Sequence, residues 1–264
     1  MTETLRLDRP RDGIMVVTLN RPGRANAMTA QMFEELEHLA RSVHHDEALR
    51  VVVLTGAGTA FCAGYDLDDA AELPSLGAVG MLKLQELGAR ALAAVRGIRV
   101  PVIAAVNGAA AGGGLALSLA ADIRLAAPTA KFNAAFVRIG LSAGDLGTSW
   151  LLPRLIGPAA AAEIVYTGRI VEAPEAERLG LVNRVVLAEE LLDAALAMAD
   201  AICANSPAGV EMSKKSLQAN MEITSYAAAL ELENRGQALL TRTADMREAL
   251  TAFTERRPPT FTGR

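Results

Sequence analysis

Three consecutive glycines, Gly112–Gly114, open the apolar run GGGLALSLAA, and they are the first place where this chain looks built for chemistry. A helix N-terminus carries unpaired N–H groups and roughly half a positive charge. Glycine lets a ligand oxygen reach those groups without meeting a Cβ. The chemistry on offer is a backbone donor for a carbonyl or a developing oxyanion; close helix–strand packing is the competing reason for the same glycines. A phosphate cradle rests on similar physics, but there is no G-x-G-x-x-G here and no Lys-Ser pair as in a P-loop. A second glycine-bounded turn lies in GAGTAFCAGYDL, Gly56–Leu67. Two such loops can supply two converging N–H groups, an oxyanion hole in which each donor is worth about 3 kcal/mol of transition-state stabilisation.

An acid or base must come from elsewhere, because Ser118 is the only polar side chain between Gly112 and Ala121. Asp145, in SAGDLGTSWLLPRLIG, is the acid that stands out, although an aspartate just before a helix is also a favoured N-cap. Gly140–Gly144, GLSAG, matches a nucleophile elbow, which needs a histidine later in the chain. His38, His44 and His45 all come earlier, so a serine hydrolase is disfavoured. His44 and His45 are neighbours on a helix and point apart, so no metal site is expected. Cys62 sits among apolar residues and reads as a buried structural thiol. Asp66, Asp68 and Asp69 read as caps or solvated groups, and Asp122 as structural.

These residues need elements to hold them. Gly13–Asn20 and Arg50–Gly56 read as strands, as do Val102–Val106 and Ile123–Ala126. Thr29 is placed to cap a helix that turns Met32, Phe33, Leu36, Leu39, Ala40 and Val43 to one side. A second amphipathic helix is predicted from Met81 to Val95, and a short buried one from the glycines to Ala121. The segments RPGRANAM and AGTAFCAGYDL read as loops, and residues 107–112 as a turn. Alternating strands and helices imply an α/β core. Beyond Leu146 the pattern is mostly helical, and residues from about 205 onward read as a helical extension that packs on something else, another subunit among the options.

The chain has 264 residues, 51% of them hydrophobic, so a sizeable core is available. Its formal charge is −4 with no basic stripe, which argues against nucleic-acid binding. Two cysteines in so long a chain suggest a reducing compartment, hence a cytoplasmic location. MTETLRLDRPRDG has no apolar signal core. The weakly polar stretch Val100–Ala121 is interrupted by Pro101, Asn107 and the glycines, so it reads as strand, turn and helix rather than a membrane span.

LNRPGRANAM, TGAGTAFCAGYDL, PVIAAVNGAAAGGGLALSLAADIRLAA and FTERRPPTFTGR follow one another in order. Together they resemble the crotonase (enoyl-CoA hydratase/isomerase) superfamily over essentially the whole chain. The resemblance implies a spiral of ββα units over residues 1–204, with a helical oligomerisation region over 205–264 that builds trimers or hexamers. It implies an acyl-CoA thioester as substrate, coenzyme A being part of that substrate and no separate cofactor being needed. The thioester oxygen is expected between the N–H groups of Tyr65 and Gly113. Arg24 matches a position that meets CoA phosphates. Ala25, Ala63, Asp66 and Leu67 match the adenine and pantetheine path. Phe253 and Arg256 match positions that close over a neighbouring subunit's nucleotide, and Pro74–Gly80 matches the variable acyl loop.

The departures from the family pattern carry as much information. The two hydratase glutamate positions are Ala116 and Phe136, neither able to transfer a proton. Asp145 falls where dienoyl-CoA isomerases carry a catalytic aspartate and where 4-chlorobenzoyl-CoA dehalogenase carries its nucleophile. The dehalogenase's histidine falls near Ala89, so that site is incomplete. The expectation is double-bond isomerisation or atypical hydration with Asp145 as acid/base, its pKa raised by burial near Phe136 and Trp150. The alternatives are hydrolysis or dehalogenase-like chemistry with Asp145 as nucleophile, or a non-catalytic acyl-CoA-binding subunit.

Overall fold

The computed structural model describes residues 3–66, 68, 69 and 73–264. Two strands and a helix recur along the first part of the chain. β1 (Leu5–Arg11) and β2 (Ile14–Leu19) precede α1 (Ala30–His44), and β3 (Val51–Gly56) and β4 (Ala60–Cys62) precede α2 (Gly77–Arg96). β5 (Val102–Val106) and β6 (Ala109–Ala111) precede α3 (Gly113–Ala120), and β7 (Ile123–Ala126) and β8 (Lys131–Asn133) precede α4 (Thr148–Ile156). From β3 onward, the first strand of each pair enters a six-stranded sheet ordered β1-β2-β3-β5-β7-β10, and the second enters a four-stranded sheet ordered β4-β6-β8-β9. α5 (Pro158–Thr167), β9 (Ile170–Glu172), α6 (Ala173–Leu179) and β10 (Arg184–Val185) complete both sheets. The helices α7 (Leu191–Cys203), α8 (Pro207–Asn220), α9 (Tyr226–Leu240) and α10 (Ala244–Glu255) follow.

The larger sheet is buried on both faces, which is why β3 and β5 read as continuous apolar runs. Val51, Val53, Ile103 and Ala105 point to one face and pack with Leu191, Ala195 and Ala199 of α7. Val52, Leu54, Val102 and Ala104 point to the other and join Met32, Leu36, Leu92 and Val95 of α1 and α2. The expected α/β class, the Thr29 cap and four of the strands agree with this structure; the Thr29 hydroxyl accepts from Met32 N–H at 3.2 Å.

Several expectations need correction. Residues 60–62 and 109–111 are strands β4 and β6, not loop and turn. Each has only three residues, too few for a period to show. Leu5–Arg11 is also a strand, although six of its seven residues are exposed, which leaves no apolar alternation to read. α2 begins at Gly77 rather than Met81, so Pro74–Gly80 is the end of a 3₁₀ turn followed by helix, not a loop. Among the described residues no helix is long and apolar enough to cross a membrane.

Candidate functional site

The four-stranded sheet delivers two backbone amides to one place. Met28 and Tyr65 form an isolated parallel bridge: Met28 N–H donates to Gly64 O at 2.7 Å and Asp66 N–H to Met28 O at 2.9 Å. In a parallel bridge the bonded groups belong to the neighbours of the central residue. The N–H of Tyr65 therefore faces away from Met28, toward the side on which β4 pairs with β6. There Gly64, at φ 97°, lies so close to the start of α3 that a methyl group on it would sit 2.7 Å from Ala111 O and 3.4 Å from Gly113 N. Gly113 is the first residue of α3, with no side chain capping that end. Neither the Tyr65 nor the Gly113 N–H has a hydrogen-bond acceptor among the described residues.

The three glycines have three different reasons. Gly112 takes φ 50°, ψ −116°, which side chains disfavour. Gly113 is crowded by Met28 Sδ and Leu146 Cδ1, 3.0 and 3.3 Å from where its Cβ would be. At Gly114 a Cβ would sit 2.0 Å from Cys62 O, so β4 and α3 pack backbone to backbone. Close packing, the rival explanation for the glycines, therefore accounts for Gly114.

The first loop is bolted to the second by a residue that the sequence reading passed over. Asn26, fully buried at φ 56°, donates to Ala57 O at 2.9 Å and Ala60 O at 2.8 Å, and its Oδ1 accepts from Arg21 N–H. An Asn in a Pro/Gly-containing loop was the available signal. Ala63 N–H donates to Ala25 O at 3.0 Å. Asp66 is 2% exposed and accepts from Arg21 and Arg24, each at 2.8 Å, while Arg24 also pairs with Asp68. The Arg24 and Arg21 hydrogen bonds hold the Asp66 carboxyl down at about 2. The Arg24 guanidinium thus lies at the loop surface with carboxylates on one side. Leu67 lies outside the described residues. Phe253 and Arg256, at the end of α10, are exposed.

Asp145 does not cap α4. Gly147 holds the cap position without a side-chain bond, and the main-chain oxygen of Asp145 accepts from Thr148 N–H at 2.9 Å. The Asp145 carboxyl has no ion pair among the described residues, and burial pushes its pKa up, as expected. Its neighbour Leu146 is held at φ 49° and lays its methyl groups against Gly113 and Gly88. Positive φ at a side-chain-bearing residue is strained, so the turn carrying Asp145 is pinned to the first turn of α3. Ala116 is fully buried, and the Phe136 ring edge lies 3.9 Å from the position of a Gly112 Cβ. Trp150 faces Arg96 and Arg154. The Ser142 hydroxyl accepts from Gly144 N–H at 3.0 Å, an ordinary local turn rather than an activated nucleophile. Cys62 is fully buried, and burial pushes its thiol up to about 12. No cluster of metal-ligating side chains occurs among the described residues.

A family profile described as enoyl-CoA hydratase/isomerase matches residues 9–264. The chain belongs to the enoyl-CoA hydratase/isomerase family. It is similar to a probable enoyl-CoA hydratase of Mycobacterium bovis, 43% identical over 97% of this chain and 92% of that one. It is similar also to the 1,2-epoxyphenylacetyl-CoA isomerase of Escherichia coli, 38% identical over 96% of both chains. Among solved structures, a putative enoyl-CoA hydratase from Streptomyces coelicolor superposes with a TM-score of 0.96 at 37% identity, covering 100% of this chain and 96% of that one. This member of the family is therefore an enzyme with the crotonase fold, and relatives named for two different reactions surround it.

Proposed function

We propose that this enzyme moves a carbon–carbon double bond in an acyl-CoA thioester, through an enolate held by the N–H groups of Tyr65 and Gly113. The observation that carries this reading is a carboxyl with no ion pair among the described residues and a pKa raised by burial, Asp145, beside two free amides in a site whose two other acid positions are Ala116 and Phe136. In a 3-enoyl thioester the Asp145 carboxylate takes a proton from Cα. The electron pair moves into the C=O, and the resulting oxyanion accepts from both amides. Asp145 then returns the proton to Cγ as the double bond settles between Cα and Cβ. One acid/base suffices and no water is consumed. A raised pKa makes the carboxylate a stronger base at neutral pH. Coenzyme A enters and leaves as part of the thioester, with Arg24, Ala25, Ala63, Asp66 and Leu67 along its path.

Hydration is the second reading, supported by the relative named as a hydratase; here Asp145 would activate water on its own. Residues 205–264 are proposed to build a trimer or hexamer, for which the exposed Leu217, Leu239, Leu250 and Phe253 supply apolar surface. In that assembly Phe253 and Arg256 would reach a neighbour's nucleotide. A cytoplasmic location completes the proposal. Offering crotonyl-CoA, 3-enoyl-CoA and dienoyl-CoA to the wild type and to Asp145→Asn tests the reaction. Turnover of 3-enoyl-CoA that disappears in the variant supports isomerisation; turnover indifferent to the substitution removes Asp145 from the chemistry.

A further inference from the structure

The turn that carries Asp145 continues through two residues in the left-handed region, Leu146 at φ 49° and Gly147 at φ 82°. Glycine is the ordinary occupant of such positions, because a Cβ is disfavoured there. A leucine persists at one of them only where its surroundings hold it. The two methyl groups of Leu146 reach two different helices, and each helix meets them with a glycine. Cδ1 lies 3.3 Å from where a Gly113 Cβ would stand, at the start of α3. Cδ2 lies 3.1 Å from where a Gly88 Cβ would stand, in the interior of α2. Both spacings are shorter than an ordinary carbon–carbon contact, so a methyl group at either glycine would push the leucine aside. The Phe33 ring borders the same Gly88 position at 3.5 Å and stacks on Tyr65, with 6.4 Å between ring centroids. The seat of Leu146 therefore adjoins both residues whose amides are free.

That seat has a consequence for the acid. The peptide joining Asp145 to Leu146 is planar, and the φ of Leu146 relates that plane to the seated side chain. Holding the side chain between two helices thus fixes the plane from which Asp145 projects. Burial raises the Asp145 pKa, and the Leu146 N–H, donating to the carboxyl, offsets part of that rise. We propose that Leu146 is a positioning residue: seated between Gly88 and Gly113, its side chain sets where the Asp145 carboxyl stands relative to the two amides. The inference rests on Asp145 being the acid/base, as proposed above.

Turnover of 3-enoyl-CoA per folded site, with sites counted by thioester binding, tests it. Leu146→Gly suits the φ of 49° and removes only the side chain. It should lower kcat about 10²-fold, the usual result of misplacing a catalytic group by an ångström, and leave KM within about twofold. Leu146→Met, unbranched and of similar volume, should restore most of the rate. Gly88→Ala is a second route to the same effect. Its new methyl meets Leu146 first, and it should lower kcat about threefold without loss of folded sites. In an Asp145→Asn background, Leu146→Gly should change the residual turnover by less than about twofold, because no carboxylate is left to aim. The inference is overturned if Leu146→Gly keeps wild-type kcat, if KM rises instead, or if the loss is as large in the Asp145→Asn background. Wild-type turnover in Asp145→Asn alone is a distinct failure: it removes the acid/base reading itself, and this inference with it.

Discussion

The two ends of α3 are treated in opposite ways. At its C-terminal end the protein supplies side-chain partners: Arg124 donates to Ser118 O and Ala121 O, and Asp122 ties the helix exit to Val102 N–H and Lys214. At its N-terminal end it supplies nothing. Gly112 has no side chain to cap with, and the Gly113 N–H is left without an acceptor among the described residues. Both ends carry about half a charge and both want a partner. A helix capped at one end and left open at the other, with a second free amide beside the open end, is what the proposed oxyanion would need to complete it.

The sharpest way to break this contrast is to remove the acid at the open end. Asp145→Asn should lower turnover about 10²–10⁴-fold, the usual worth of general acid–base catalysis, with thioester affinity preserved in a binding titration. The wild-type pH–rate profile should rise with pH along a limb displaced above the ordinary aspartate range, because burial favours the protonated carboxyl while the reaction needs the ionised one.

At the closed end the effect should fall on stability instead. Arg124→Met removes a donor from three buried carbonyls, two of which, Leu181 O and Ala121 O, have no other donor among the described residues, and should cost about 3 kcal/mol or more in urea unfolding. Residual folded enzyme should keep its turnover per active site. A matching loss of turnover in fully folded variant would erase the distinction between the two ends.

Acid should loosen the frame of the open end next. Folding lowers the Asp66 carboxyl from 3.8 to about 2 through Arg24 and Arg21. Its contribution, about 2 kcal/mol, is complete above pH 4 and disappears as the pH falls toward 2. In Asp66→Asn the acid limb of the stability curve should flatten over that window. The smallest effect is expected at Tyr65. Its amide faces the site and its phenol has no hydrogen-bond partner among the described residues, so Tyr65→Phe should change turnover by less than about twofold. A large loss would mean that the hydroxyl, not the main chain, does the work.

Much of this was legible in residue order. The runs Val51–Gly56 and Val102–Val106 read as buried strands because both faces of the sheet are covered, and Thr29 read as a cap because its hydroxyl reaches Met32 N–H. The short strands β4 and β6 did not, since three residues hold too little pattern, yet they carry the amides to their meeting point. Asn26 and Leu146 were missed for a related reason. Their importance lies in an unusual φ and in partners far along the chain; an Asn in a Pro/Gly loop hints at the first, but nothing local points to the distant partners.

By itself the sequence determined which groups are available: glycines at a helix start, one aspartate in place of two glutamates, and strands that must be buried. Tertiary structure decided how they are used. Only folding could bring Gly64 against Gly113, leave two amides unpaired, and turn the Asp145 carboxyl away from a capping bond that its position invited. Hydrogen-bond satisfaction is a property of a three-dimensional neighbourhood, whereas residue type and period are properties of the chain.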